Sequence, residues 1–281
     1  MQKTMKKFGI IFTLPTLIAF AIAFLIPFAV GLYLSFCRFT TVTNAKWVGT
    51  DNYIKIFSDN NDFLNALWFT ILFTIVAVLT INIFAFGLAT LLTRGIKGTN
   101  VFRTIFFMPN LIGGIVLGYI WQLIINGILI RFGVDLTVQA AYGYWGLIVL
   151  MNWQQIGYMM VIYIAGIQNI PTELNEAARI DGASNWQIMR KVTIPMVMPA
   201  VTICTFLTLT NSFKLFDQNL ALTKGAPGKE TAMLALDIFN TFYARTGSEG
   251  VGQAKAVIFF LAVGLIAYIQ LRLTRKKEVE S

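Results

Sequence analysis

The chain has 281 residues, 57% of them hydrophobic and 12% charged, with a formal net charge of +9. A soluble domain carries about twice that share of charge, and 24 Phe residues are too much apolar surface for a soluble fold to hide. There is no His, which excludes a His-ligated metal site, a His proton relay and a Ser-His-Asp triad; the basic residues sit in short loops between apolar runs, the pattern of membrane orientation and not of a nucleic-acid patch.

A membrane helix needs about 20 mostly apolar residues. Six stretches meet that length, so the predicted fold is all-α: a polytopic membrane protein of six transmembrane helices in a single transmembrane domain, 1–281. The first span covers 8–36 and follows Lys3, Lys6 and Lys7. Its apolar run is too long for a signal-peptide core, so it reads as retained, with Pro15 and Pro27 expected to kink it. Spans two to six are expected at 64–92, 101–125, 144–167, 196–216 and 254–273. Cys37 and Cys204 fall near the end of the first span and inside the fifth, and read as separate packing thiols.

Lys and Arg distribution sets the orientation. The side holding both termini and the loops 93–100 and 168–195 has 13 basic and 5 acidic residues, a net of +8. The opposite side has 9 basic and 8 acidic residues, a net of +1. The basic side is expected to be cytoplasmic. Arg275-Lys276-Lys277 then anchors the last span at the inner surface.

Residues 168–195 form the one substantial loop on that side. Pro171 and Thr172 start a helix with Glu173 and Glu176 near its positive end. Gly182 ends it, because Gly enters the left-handed conformation without steric penalty. Ser184 and Gln187 have the spacing of a capping box, and Pro195 is expected to stop the second helix. Trp186 and Met189 share a face at i, i+3 spacing. Taken as physics alone, this is a well-capped two-helix knob, equally an ordinary connector lying on the protein or a piece that docks into a partner.

The loop resembles the EAA motif of binding-protein-dependent ABC importer permeases: Glu-Ala-Ala, three residues, Gly, nine residues, then Ile-x-Leu-Pro. Glu176-Ala177-Ala178, Gly182 and Pro195 stand in register, with Val192 and Ile194 for the usual Ile and Leu. Leu32-Tyr-Leu-Ser-Phe36, Asn52-Tyr53, Phe102-Arg103 with Pro109, Trp121 and Phe216-Asp217 are similar to residues of carbohydrate-importer permeases. So is Leu222-Thr-Lys-Gly-Ala-Pro227, except that Lys224 replaces a usual Gly. The chain is most similar to the first, maltose-transporter-like permease type, without that subunit's large outer domain and without the C-terminal extension of the other type.

The resemblance implies a bacterial inner-membrane subunit, both termini cytoplasmic, that forms half of a pore with a second homologous permease. It implies two ATP-binding cassette subunits below and an extracellular or periplasmic solute-binding protein above. Coupling would run through Glu176, Ala177, Ala178, Arg179, Asp181 and Gly182. The chain itself is expected to be no enzyme and to hold no cofactor or metal, ATP being used by the partner; Gly228-Lys229-Glu230 lacks the spacing and hydroxyl of a phosphate loop.

Sugars are held by amides, acids and aromatic faces. Asn152, Gln155 and Tyr158, with Trp153 and Gln154, form such a cluster in the fourth span, and Asn211, Phe213 and Asp217 form another at the end of the fifth. The same amides could instead hydrogen-bond neighbouring helices. Gly113, Gly114 and Gly118 read as close-packing positions, and Trp47, Trp121, Tyr144 and Trp145 as interface anchors. An ion-coupled carrier is the alternative, disfavoured by the near absence of ionisable residues inside the spans; an ABC permease for a non-sugar solute is another.

Overall fold

The computed structural model describes residues 13–58, 62–243 and 247–275. Lys3, Lys6, Lys7, the first residues of the expected first span and Lys276-Lys277 lie outside them. The described residues fall into two compact units. One comprises the chain up to residue 61 with 238–260, the other 62–237 with the residues after 260.

In the first unit, α1 (Thr13–Leu34) is the first membrane-capable helix. Ala21–Leu25 is wound as a π-turn just before Pro27. Pro27 cannot donate to a carbonyl in the preceding turn, and the wider turn absorbs that loss. Leu34 is its one buried residue; Leu, Ile and Phe cover the rest, a surface that suits lipid and not water. A two-stranded ribbon, β1 (Cys37–Arg38) with β2 (Lys46–Trp47), pairs antiparallel with Cys37 opposite Trp47. The helix α2 (Asp51–Ser58) follows. Asn52 in it donates to the carbonyls of Ser35 and Cys37, both at 2.9 Å.

The second unit is built around α6. Its helices are α3 (Asp62–Leu92), α4 (Thr99–Phe107), α5 (Gly114–Leu129), α6 (Ala140–Gln168), α7 (Thr172–Ile180), α8 (Asn185–Met196), α9 (Met198–Phe213) and α10 (Asp217–Leu222). Then α11 (Leu234–Tyr243) and α12 (Glu249–Arg275) run from one unit into the other. The helix α6 is the most buried of the spans, whereas α3 and α5 keep broad exposed apolar faces. Thr80, Thr90 and Thr93 turn their hydroxyls back to the i−4 carbonyls at 2.8, 2.9 and 3.0 Å. That satisfies the hydroxyls inside a medium that offers no water.

Two expectations are corrected. The stretch 101–125 is not one helix: α4 ends at Phe107, Met108–Leu111 forms a 3-10 turn around Pro109, and α5 begins at Gly114 after the extended Gly113. Pro109 has no N–H for the next helical bond, and two glycines follow at once. Pro195 does not stop its helix either. It is accommodated after a π-turn at Met189–Thr193, and the chain bends by 67° at Val197. There Pro199 leaves the Pro195 carbonyl without its helical donor. The described residues thus hold five membrane-capable helices, or six with α8 and α9 taken as one broken span.

Tight approaches are made by glycine. A Cβ on Gly118 would lie 2.5 Å from Ala221 Cβ, and one on Gly114 2.7 Å from Asp217 Cβ, so these two seat α10 on α5. Gly113 meets nothing and caps instead. Closest of all is Gly157 in α6, where a Cβ would run into the Phe106 carbonyl.

Candidate functional site

The loop between α6 and α9 folds as its local chemistry demands. The helix α7 has no buried residue. Its end is a Schellman motif: Ala183 N–H donates to the Ala178 carbonyl and Gly182 N–H to the Arg179 carbonyl, both at 3.0 Å. Gly182 takes φ +76, with open space where a Cβ would stand. Ser184 N–H donates to Gln187 Oε1 at 2.7 Å and Gln187 N–H to Ser184 Oγ at 3.3 Å, closing the capping box. Ile170 and Ile188 are buried at the base, while at the tip Ile180 is 86% and Trp186 70% exposed.

All six predicted coupling residues lie on this knob. Glu176, Ala177, Arg179, Asp181 and Gly182 are exposed and Ala178 is half-buried. Ala178, Asp181 and Gly182 border a cleft of about 300 Å³ between α7 and α8, with Gln187 and Lys191 on its far side. The side chains of Glu176 and Arg179 make no hydrogen bond or ion pair among the described residues. Leu174, Ile180 and the charged side chains of this helix are thus exposed, and of its apolar residues only Ala178 is half-buried.

The span residues sort differently. Asn211 Nδ2 donates to Gln155 Oε1 at 3.4 Å, so the two predicted clusters meet between α6 and α9. Tyr158 is half-buried, its ring 6.3 Å from that of Phe107. Asn152 turns towards α3, donating to Thr80 Oγ1 at 2.9 Å and to its own i−4 carbonyl at 2.8 Å. Phe213 is buried and lines an apolar hollow of about 340 Å³ with Thr74, Val78, Leu209 and Ile266. Asp217 is exposed at the start of α10.

Sequence reasoning passed over several polar partners. Gln218 donates to Gln154 at 2.8 Å, and Gln154 to the Ile112 carbonyl at 3.3 Å, tying α10 and the turn between α4 and α5 to α6. Asn82 accepts from Tyr163 at 2.7 Å and donates to Thr208 at 3.3 Å, joining α3, α6 and α9. Asn219 is fully buried and ties Thr223, the Thr231 carbonyl and Met233 N–H together at 2.8–3.0 Å. A single amide in an apolar span was the available signal, since burying one without partners costs several kcal/mol, of the order of 2–7.

The structure is that of a polytopic helical membrane protein with an exposed two-helix loop between two of its spans. The chain belongs to the family of binding-protein-dependent transport system inner membrane components, whose model matches residues 94–278. It is therefore a multi-pass membrane protein and the permease subunit of an ABC importer, in which ATP hydrolysis belongs to a separate component. It is 44% identical to a protein of Thermoanaerobacterium thermosulfurigenes named a probable starch degradation products transport system permease protein, AmyD, over 96% of this chain and 94% of that one. It is 29% identical to the multiple sugar-binding transport system permease protein MsmF of Streptococcus mutans, over 99% of both. The fold is shared with a chain of a bacterial ABC transporter that imports the acidic polysaccharide alginate, at a TM-score of 0.80, 21% identity and 98% coverage of both.

Proposed function

We propose that the chain is one half of the pore of an oligosaccharide importer and that the Glu176–Pro195 loop is where ATP energy enters it. The observation that carries this is the knob itself: α7 closes on a Schellman turn, the next helix opens on a capping box, and yet α7 has no buried residue. The sugar comes from the relatives, whose names speak of starch degradation products and multiple sugars. In this reading a second homologous permease completes the pore and two ATP-binding cassette subunits lie on the side of the knob. A solute-binding protein delivers substrate on the other side. The chain has no cofactor; ATP is bound by its partners, and both termini are cytoplasmic, as the basic loops favour.

The parts of the knob have separable roles. Ala177 and Ala178 let a groove wall come close, Glu176, Arg179 and Asp181 offer charges to it, and Gly182 sets the angle of the turn. ATP-driven closure of the cassettes would move the knob as a rigid lever on the bent α8–α9 pair. Along the path, Gln155, Tyr158, Asn211 and Asp217 are the substrate contacts, with Asn152 and Phe213 holding the helices behind them.

Gly182→Asp tests the coupling. There is room for the side chain within this chain, and Asp tolerates the left-handed region better than most residues, so the subunit should assemble. Transport in proteoliposomes should fall to background while the protein stays in the membrane. Transport at the wild-type rate would reject the coupling role.

A further inference from the structure

Opposite the knob, at the Ala140 end of α6, lies a cleft of about 360 Å³. The helix is 29 residues long, so the two ends are about 43 Å apart at 1.5 Å per residue. One face of α3 forms the floor, with Asp62, Asn65, Trp68 and Phe69; the turn at Gly228–Glu230 forms the opposite wall. The Trp68 indole is 63% exposed. Asn65 and Glu230 are exposed, and their side chains carry no hydrogen bond among the described residues.

The wall is held in place deliberately. Lys229 takes φ 74, a left-handed conformation rare for a side chain of its size. Its Nζ meets Asp62 Oδ2 at 2.5 Å, an ion pair across 167 residues of sequence. Glu230, the next residue, lines the same cleft as Asn65 and Trp68. An aromatic face with an amide and a carboxylate at its margin matches a pyranose ring, whose C–H face stacks while its hydroxyls hydrogen-bond. Two carboxylates against one ammonium leave the lining net negative, which disfavours an anionic ligand.

We propose that this cleft is an entry site for the end of a neutral oligosaccharide: Trp68 stacks on a ring, Asn65 and Glu230 bind its hydroxyls, and Lys229–Asp62 holds the turn. The proposal rests on the carbohydrate reading above. It adds a second sugar station, on the side from which substrate arrives and lined by none of the proposed span contacts.

The test uses the assembled transporter in nanodiscs and proteoliposomes, with maltotetraose and xylotetraose as probes. Wild type should transport at least one of them and give saturation transfer to it without the binding protein. Trp68→Ala and Asn65→Leu should each raise the concentration for half-maximal uptake by about 3–10-fold and remove most of the transfer signal. Asn65→Leu leaves an interfacial anchor intact, so its effect reports sugar contact; Glu230→Gln replaces Trp68→Ala should that variant not assemble. Unchanged half-saturation and transfer in Asn65→Leu and its companion overturns the entry site alone. Wild type that transports neither sugar overturns the carbohydrate reading and the entry site with it.

Discussion

Lys224 sits at φ 53, in the left-handed region that favours Gly. A left-handed L-residue costs about 1–2 kcal/mol, offset in part by the greater unfolded-state freedom of Gly. Lys224→Gly is therefore expected to stabilise the loop by up to about 1 kcal/mol, read as a rise in thermal midpoint in detergent; a fall would mean that the Lys side chain contributes more than the strain. The two span amides separate by geometry. Asn152, bound at 2.9 Å to Thr80, should act through stability: Asn152→Leu is expected to cost about 1 kcal/mol, near the usual range for an interhelical hydrogen bond in a membrane. Asn211, with only a 3.4 Å contact to Gln155, should act through transport. Asn211→Leu is expected to change uptake several-fold at unchanged assembly, and equal loss of both would move Asn211 to the structural group.

At the scale of elements, α6 is the piece on which the second unit depends. Gly157 lets the Phe106 carbonyl lie directly on its backbone, just where α4 ends before the Pro109 break. Backbone cannot step aside as a flexible side chain can, so Gly157→Ala should cost about 1–3 kcal/mol by overpacking. Size-exclusion after mild heating should show earlier loss of assembled protein than for Gly127→Ala, whose Cβ meets open space. The broken span was legible in part: Met108-Pro-Asn-Leu-Ile-Gly-Gly114 is punctuated as a turn, and the apolar composition around it hid that signal. The knob was legible almost completely, because its Schellman end and capping box are made by residues within five positions of one another.

For the whole molecule, the exposed surface is itself informative. Ile, Leu and Phe are exposed along α1, α3 and α5, a surface suited to lipid and to the apolar faces of the proposed partner subunits. Gentle purification from its membrane should therefore bring along a second permease and an ATP-binding cassette protein. Recovery of the chain alone under conditions that preserve other transporters would count against the proposed assembly.

The all-α membrane fold and the shape of the knob follow from the sequence alone, because apolar length, turn residues and caps act over a few neighbouring positions. Which amides hold helices and which remain free is set by the packing of distant segments, since the partners of Asn82 and Asn152 lie 72 to 126 residues away. The same packing puts Asp62, Trp68 and Glu230 in one cleft. Their meeting depends on a turn set by left-handed backbone and one long-range ion pair, and the sequence pattern records neither.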